Sequence, residues 1–299
     1  MNKSILITGA NGLIGKEVYK YFENKYGKEY TIHRIDKSVN VDLCDHDAVN
    51  HWMLKWKPDY IIHLASLSDV AESIILPDMY LRNNLVNTLN LLEAVRLYNP
   101  TARVLLFNTD EVYQYEIGEY VKEDSPINPR NPYSASKLCQ KAMGCAYKNT
   151  YGLDIVITHM TNCIGPNQSA VKHIGNSMKL IPALFEAAVT NTSFRMDDNG
   201  SAKRTWINVW DTATAIDKIL FNGKQDCYNI AGDEILSVKE IYDIVCNITG
   251  KQIQVEHSKR QGQDPWYALD CSKLKEELGW KPQYTVKETL DYLWKNQCW

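Results

Sequence analysis

The chain reads as an α/β protein: a doubly wound parallel sheet with a smaller C-terminal α/β domain that supplies a substrate site. Three observations predict this. Short apolar runs alternate with helix-length stretches through the first half, the order that covers a parallel sheet on both faces. Gly9, Gly12 and Gly15 fall between the first apolar run and the first helical stretch. An acidic residue, Asp36, closes the second run.

Residues 4–8 (SILIT) have the unbroken apolar character of a buried strand, closed by Gly9. Residues 12–22 carry Ile14, Val18, Tyr19 and Phe22 at helical spacing. A second strand covers 30–35 and a helix 46–56, broken by Pro58-Asp59 before a third strand at 60–64. The long helix 79–98 has Leu81, Leu85, Leu89, Leu92 and Val95 as its apolar stripe. A strand at 104–107, a helix from near Tyr133 and a strand at 154–159 complete the regular half. Residues 162–179, rich in Asn, Gly and Ser, read as a long loop over a site. Helical patterns recur at 181–189, 211–221, 238–249 and 273–278. The expected division is a dinucleotide-binding domain over 1–165 and a substrate-binding domain over 166–299, with segments near 204–232 returning to the first.

Composition narrows the function. The 299 residues carry a net charge of −3, which gives no basic field for nucleic acid or an anionic membrane. The basic cluster at 257–260 is too short to change that. Eight cysteines include no Cys-x-x-Cys and read as reduced packing residues. No metal site is expected. No apolar run approaches the roughly 18 residues needed to span a bilayer, and the N-terminus leads straight into a strand. A soluble, cytoplasmic protein is the expectation.

The segment Gly9-Ala10-Asn11-Gly12-Leu13-Ile14-Gly15 has the strand–turn–helix context of a dinucleotide cradle. One glycine permits the tight turn, the next admits the pyrophosphate to the backbone, and the last lets helix pack on strand. The helix N-terminus offers N–H groups and positive dipole to the anion. Asp36, about 20 residues on, can bond an adenosine ribose 2′-hydroxyl, which favours NAD. Arg34 and Lys37 flank it and can instead receive a 2′-phosphate, so NADP stays open. Asp42 and Leu43 either touch the adenine or form a solvated turn.

Chemistry concentrates at the fourth strand's end. Thr109, Asp110 and Glu111 leave it at the lip of the crevice where open α/β sheets bind ligands. Tyr133 and Lys137 stand at i and i+4, on one helix face about 5–6 Å apart. Tyr133 is the expected acceptor of a hydroxyl proton during oxidation, and Thr109 orders that hydroxyl. Phenol has a reference pKa near 10. Lys137 and a positive nicotinamide ring are expected to favour the phenolate by direct charge interaction.

The residues 9–15, His63-Leu64-Ala65, Asn84 with Thr88, Tyr133 with Lys137, and Asp270-Cys271-Ser272-Lys273 before Leu278-Gly279-Trp280 resemble the extended short-chain dehydrogenase/reductase family over the whole chain. The resemblance implies a Rossmann-type sheet, a held NAD(P) and a C-terminal domain gripping a nucleotide sugar. It adds Leu64, Ala65 and Asn84 to the cofactor residues. The stretch Thr109-Asp110-Glu111-Val112-Tyr113 is similar to that of the hexose 4,6-dehydratases. There the resemblance implies Glu111 as base at carbon 5 and a protonated Asp110 as acid for the departing 6-hydroxyl. Adjacent carboxylates in a dry crevice split into one acid and one base. The configuration at carbon 5 is left open. Alternatives are a 4-epimerase, a UDP-glucuronate decarboxylase or an idle dinucleotide-binding protein.

At the substrate end, Ser68, Asn162, Arg204 and Arg260 match positions that meet the nucleotide sugar, the two arginines as phosphate forks. Trp206, Trp210, Trp266 and Trp280 are read as core. The chain departs from the glucose dehydratases at 68–73 (SDVAES), where His and Arg are replaced by acidic residues, at Asn87 in place of Gly, and in a longer 167–178 loop. These departures lean the substrate toward UDP-N-acetylglucosamine, with UDP- or dTDP-glucose otherwise. Surplus apolar residues on the helices 79–98 and 133–151 suggest a homodimer.

Overall fold

The computed structural model describes residues 3–39, 41–166, 168, 179–259 and 265–299. In chain order the strands are β1 (Ser4–Thr8), β2 (Thr31–Ile35), β3 (Tyr60–His63), β4 (Arg103–Thr109), β5 (Ile155–Met160) and β6 (Asn162–Ile164). Then come β7 (Phe194–Asp197), β8 (Lys203–Asn208), β9 (Cys227–Ile230), β10 (Ile235–Ser237), β11 (Val255–Ser258) and β12 (Trp266–Tyr267). The helices are α1 (Leu13–Tyr26), α2 (His46–Trp56), α3 (Val70–Ile75), α4 (Pro77–Tyr98) and α5 (Pro132–Tyr151). They continue with α6 (Leu180–Thr190), α7 (Val209–Asn222), α8 (Val238–Thr249), α9 (Ser272–Leu278) and α10 (Val286–Lys295).

The large sheet runs β2-β1-β3-β4-β5-β9 and is parallel throughout. Its inner strands are buried on both faces, with side chains alternating between two cores, while the edge strand β2 is largely exposed. Ile5, Ile7, Ile62, Leu105 and Phe107 pack with Val18 and Phe22 of α1 and Ile216 and Ile219 of α7. Leu6, Ile61, Val104 and Leu106 pack with Val49 and Met53 of α2 and Leu91 and Val95 of α4. The chain leaves β1 to β2 on one side and returns to β3 on the other. Such a reversal opens a crevice at the strands' carboxyl ends.

A third core joins α6, α8 and α10 through Leu184, Phe185, Ile241, Val245, Leu290 and Leu293. A second sheet centres on β8, which pairs with β6, β10 and β12. A parallel pair of β7 and β11 completes the strand pairing. The chain crosses between the units more than once. β9 forms the edge of the large sheet, and Tyr267, Leu269, Leu274 and Trp280 pack into its first core.

Local signals set the ends that matter for the site. Pro132 opens α5, where Asn131 and Ser134 form a reciprocal capping box, and Gly152 closes it at φ 70°. β4 extends two residues beyond the expected end, so Asn108 and Thr109 are strand residues and Asp110–Val112 forms a 3-10 turn. Two helices, α3 and α10, lie outside the sequence reading. α10 carries its own signal, a capping box between Thr285 and Glu288. Among the described residues no helix is long and apolar enough to cross a membrane, and no His/Cys/Asp/Glu group could hold a metal.

Candidate active site

One cavity of about 1490 Å³ runs from the glycine turn past the end of β4 to the N-terminus of α6 and β8. The turn is shaped by steric need. Gly9 has φ +65°, and a Cβ there would sit 2.8 Å from the Ala65 Cα in the loop after β3. At Gly15 a Cβ would lie 2.1 Å from the Gly9 carbonyl oxygen. A side chain is therefore excluded at Gly9 by the loop after β3 and at Gly15 by the turn itself, the tight turn and close helix packing of a dinucleotide cradle, and both glycines line the cavity. Gly12, Leu13 and Ile14 line the same end, and no acidic residue occupies the first turn of α1.

Asp36 also lines the cavity, its carboxylate accepting from the Asn11 N–H (3.0 Å), the Ser38 N–H (2.9 Å) and the Ser38 hydroxyl (2.7 Å). The neighbouring cations have other partners. Lys37 pairs with Asp42 at 2.9 Å, which raises the amine above its ordinary value. The Cys44 N–H and Lys37 together hold the Asp42 carboxyl below its own. The Arg34 guanidinium lies over the Tyr19 ring, 4.9 Å from its centre. Leu43, Leu64 and Ala65 line the cavity beside them.

Two expected cofactor residues stand elsewhere. Asn11 is not in the cavity wall; its amide donates to Ser38 Oγ at 2.6 Å. Asn84 is fully buried behind the wall, because it braces the loop instead. Its side chain accepts from Leu67 N–H (2.8 Å) and donates to Leu67 O (3.1 Å) and Ser136 Oγ (2.9 Å). Asn83 and Asn87 reach the cavity in its place, one residue before and three after. His63 is locked in the core between the Thr8 and Thr88 hydroxyls, at 2.8 and 3.1 Å, and burial drops it to about 3.

Thr109, Asp110, Glu111, Tyr133 and Lys137 converge on this cavity. Asp110 is 4% exposed; Oδ1 accepts from the Thr109 hydroxyl at 3.3 Å and Oδ2 is buried with no hydrogen-bond partner among the described residues. Burial, then the charge of Glu111, pushes its carboxyl up to about 7, while Arg204 pulls the other way. Glu111 is half-buried, and the cap residue Asn131 donates to its Oε2 at 2.8 Å, tying the acidic turn to the start of α5. One turn thus holds two carboxylates in different surroundings.

Burial and the charges of Glu111 and Asp110 hold the Tyr133 phenol above its usual range, with the Thr109 hydroxyl acting against them. The Lys137 ammonium, expected beside the phenol, donates to Phe107 O at 2.7 Å and reaches Ser66 Oγ at 3.5 Å. Burial brings it down to about 7. Asn108 joins the pair to the strand: its amide donates to Lys137 O at 2.8 Å and its Oδ1 accepts the Thr109 N–H at 2.8 Å. Sequence reasoning missed Asn108, Asn131 and Ser66. Only Asn131 had a signal, an N-cap residue just ahead of a helical Pro.

At the far end Arg204, Asn162 and Ser68 line the cavity. Arg204 is 8% exposed, with its guanidinium 4.5 Å from the Tyr267 ring centre. Asp69 lines it too and caps α3 by accepting the Glu72 N–H at 2.8 Å, whereas the Glu72 carboxylate receives the Tyr80 hydroxyl at 2.7 Å. Lys179, absent from the sequence reading, adds an amine to this wall. Trp206 and Trp280 are buried, the former also touching the cavity. Arg260 and the 167–178 loop, save Gln168, lie outside the described residues.

Comparison with known proteins places the chain among relatives of the same fold. The model of the GDP-mannose 4,6 dehydratase family matches residues 6–293. A dTDP-glucose 4,6-dehydratase of Xanthomonas campestris pv. campestris is 32% identical over 287 residues, 87% of this chain and 80% of that one. The solved dTDP-glucose 4,6-dehydratase of Streptomyces venezuelae, with NAD bound, superposes with a TM-score of 0.86 at 26% identity, covering 98% of each chain. That of Bacillus anthracis, in complex with NAD, gives 0.85 at 26%, over 99% of this chain and 97% of that one. The chain belongs to the GDP-mannose 4,6 dehydratase family, within the nucleotide-sugar 4,6-dehydratase group of extended short-chain dehydrogenase/reductases.

Proposed function

We propose that this protein removes water across carbons 5 and 6 of a nucleoside-diphosphate hexose, giving the 4-keto-6-deoxy sugar. The observation that carries this reading is the pair Asp110 and Glu111, leaving β4 side by side into the cavity shared by Tyr133 and the glycine turn. The backbone at Gly9 and Gly15 and the acceptor Asp36 fit a nicotinamide dinucleotide, and the partnered Lys37 and Arg34 support NAD over NADP. When bound, that cofactor supplies the oxidant for carbon 4 and, once reduced, the reductant for carbon 6, with no net consumption.

The chain's own groups carry the protons. Tyr133 accepts the 4-hydroxyl proton while Thr109 orders that hydroxyl. The 4-ketone acidifies the carbon 5 proton, which Glu111 removes. Asp110 supplies a proton to the leaving 6-hydroxyl, a role that a carboxyl near 7 can fill at neutral pH. Keeping Asp110 protonated also removes one of the two negative charges that oppose a Tyr133 phenolate. Arg204 and Asn162 are the groups offered to the diphosphate.

For the sugar, the first reading is UDP-N-acetylglucosamine, because the Ser68–Asp69 wall that lines the cavity carries no imidazole to oppose a bulky 2-substituent. The curated relatives' names favour dTDP-glucose as the second reading. Incubation with UDP-N-acetylglucosamine, UDP-glucose and dTDP-glucose, read by mass spectrometry, separates them. Loss of water from UDP-glucose with none from the acetamido sugar rejects the first. We also propose a homodimer, supported by the exposed Met79, Leu89 and Leu97 on α4 and Tyr151 on α5. Light scattering tests it, and a monomer at micromolar concentration rejects it.

A further inference from the structure

Tyr133 stands in the first turn of α5, where backbone donors need partners from outside the helix. The first N–H groups of an α-helix have none within it. In α5 Pro132 has no N–H, the Asn131 side chain accepts from the Ser134 N–H at 2.8 Å, and the Asn131 carbonyl accepts from the Ala135 N–H at 3.0 Å. The Tyr133 N–H is left over. Its acceptor lies 60 residues upstream: the Ser73 Oγ, at 3.2 Å. Ser73 is fully buried on α3 and donates its own hydroxyl proton to the Val70 carbonyl at 2.7 Å, which leaves its oxygen as an acceptor for α5.

α3 has two working faces. Val70, Ala71 and Ile74, with Ser68 and Asp69 ahead of them, line the cavity, while Ser73 does not. A helix of six residues is too short to hold its own shape, and this one is clamped at its start. The Asp69 carboxylate accepts from the Glu72 N–H. The Asp69 N–H donates to the Tyr80 hydroxyl at 3.1 Å, and that hydroxyl donates to Glu72 Oε2 at 2.7 Å. Tyr80 is buried on α4, so the clamp is anchored in the core. The acidic residues that set the 68–73 stretch apart thus serve to fix α3.

We propose that α3 is the brace that sets the Tyr133 phenol for catalysis, with Ser73 as its positioning residue. One face of the short helix forms the wall offered to the sugar. Another completes the cap beneath the group that takes the sugar's proton. Wall and phenol are then one unit, and the gap between the 4-hydroxyl and the phenol oxygen is set by this contact. Ser73 acts through Tyr133, since it lies outside the cavity wall. Near-attack geometry is lost steeply when a reacting group is displaced. The inference rests on the dehydration reading above, in which Tyr133 accepts the 4-hydroxyl proton.

The test compares Ser73→Ala and Ser73→Thr with the wild type, each NAD-loaded. The substrate is whichever of UDP-N-acetylglucosamine, UDP-glucose and dTDP-glucose the wild type dehydrates, and kcat is counted per folded molecule by circular dichroism. Ser73→Ala is expected to lose about tenfold in kcat with KM within about twofold. It is also expected to show a primary isotope effect from deuterium at carbon 4, because the step served by Tyr133 then limits turnover. Ser73→Thr, which keeps the hydroxyl, is expected to recover most of the loss. An unchanged kcat, a raised KM in its place, a loss without an isotope effect, or a folded Ser73→Thr no better than Ser73→Ala overturns this inference and leaves the dehydration reading standing. Should Ser73→Thr fail to fold, the isotope effect in Ser73→Ala decides. A wild type that dehydrates none of the three sugars overturns that reading and this inference with it.

Discussion

Replacing Asp110 with Asn should change the pH dependence of stability in a way the geometry fixes in sign. The carboxyl is 4% exposed, has one buried oxygen without a partner among the described residues, and is raised from 3.8 to about 7 in the folded chain. A group whose folded value is raised binds its proton more tightly in the native state. Its stabilising contribution is complete below the unfolded value of 3.8 and is lost as pH rises toward about 7. Each pKa unit corresponds to about 1.4 kcal/mol, so the full span sets a ceiling of about 4 kcal/mol. Asn keeps the shape and lacks the titration. The variant should therefore gain on the wild type across this window, by roughly 2–4 kcal/mol between pH 4 and pH 7.5. Urea unfolding of both proteins at several pH values measures the difference directly. A gap that stays constant with pH would refute the claim that a dry cavity and Glu111 raise this carboxyl.

Four further outcomes follow from the same site. Glu111→Gln should lower water elimination by about 10² or more with little change in nucleotide binding, measured by product mass and calorimetry. Tyr133→Phe should lower turnover by about 10²–10⁴, since Tyr133 is the one tyrosine lining the cavity among the described residues, and steady-state rates check it. Asp36→Ala should narrow a preference for NAD over NADP, because its carboxylate is the proposed ribose acceptor while Lys37 and Arg34 are engaged by Asp42 and Tyr19. Fluorescence titration with both dinucleotides reads that ratio, and an unchanged ratio removes Asp36 from the role. Gly9→Ala places a Cβ 2.8 Å from Ala65 at φ +65°, so it should cost about 1–3 kcal/mol and most of the cofactor affinity. Thermal unfolding with and without NAD shows both effects.

Much of the fold was legible because its signals are local. The buried SILIT run and the three-residue glycine rhythm each report a period or steric need that survives in any context, whereas the leucine stripe read on α4 holds only at Leu92 and Val95, Leu89 being exposed. The acidic turn and the Tyr133–Lys137 pair were legible for the same reason, since neighbours in sequence stay neighbours on a strand end or a helix. What escaped depends on three-dimensional neighbours. Asn84 and Asn83 are adjacent in sequence, yet helix rotation buries the first and brings the second to the cavity. The direction of the Lys137 amine is set by the Phe107 carbonyl on another element. Glu72 has the charge of a wall residue, but Tyr80 draws it aside. The Ser73–Tyr133 contact joins positions that are far apart in sequence, and spacing carries no trace of it.

The most direct test of the dehydration reading is a reaction of the NAD-loaded protein with a nucleoside-diphosphate hexose in deuterated water. The product should have lost one water and carry deuterium at carbon 5, and its proton spectrum gives the configuration there. A product of unchanged mass with carbon 4 inverted, or a hexose returned intact in every nucleotide form, would contradict the role given to Asp110 and Glu111.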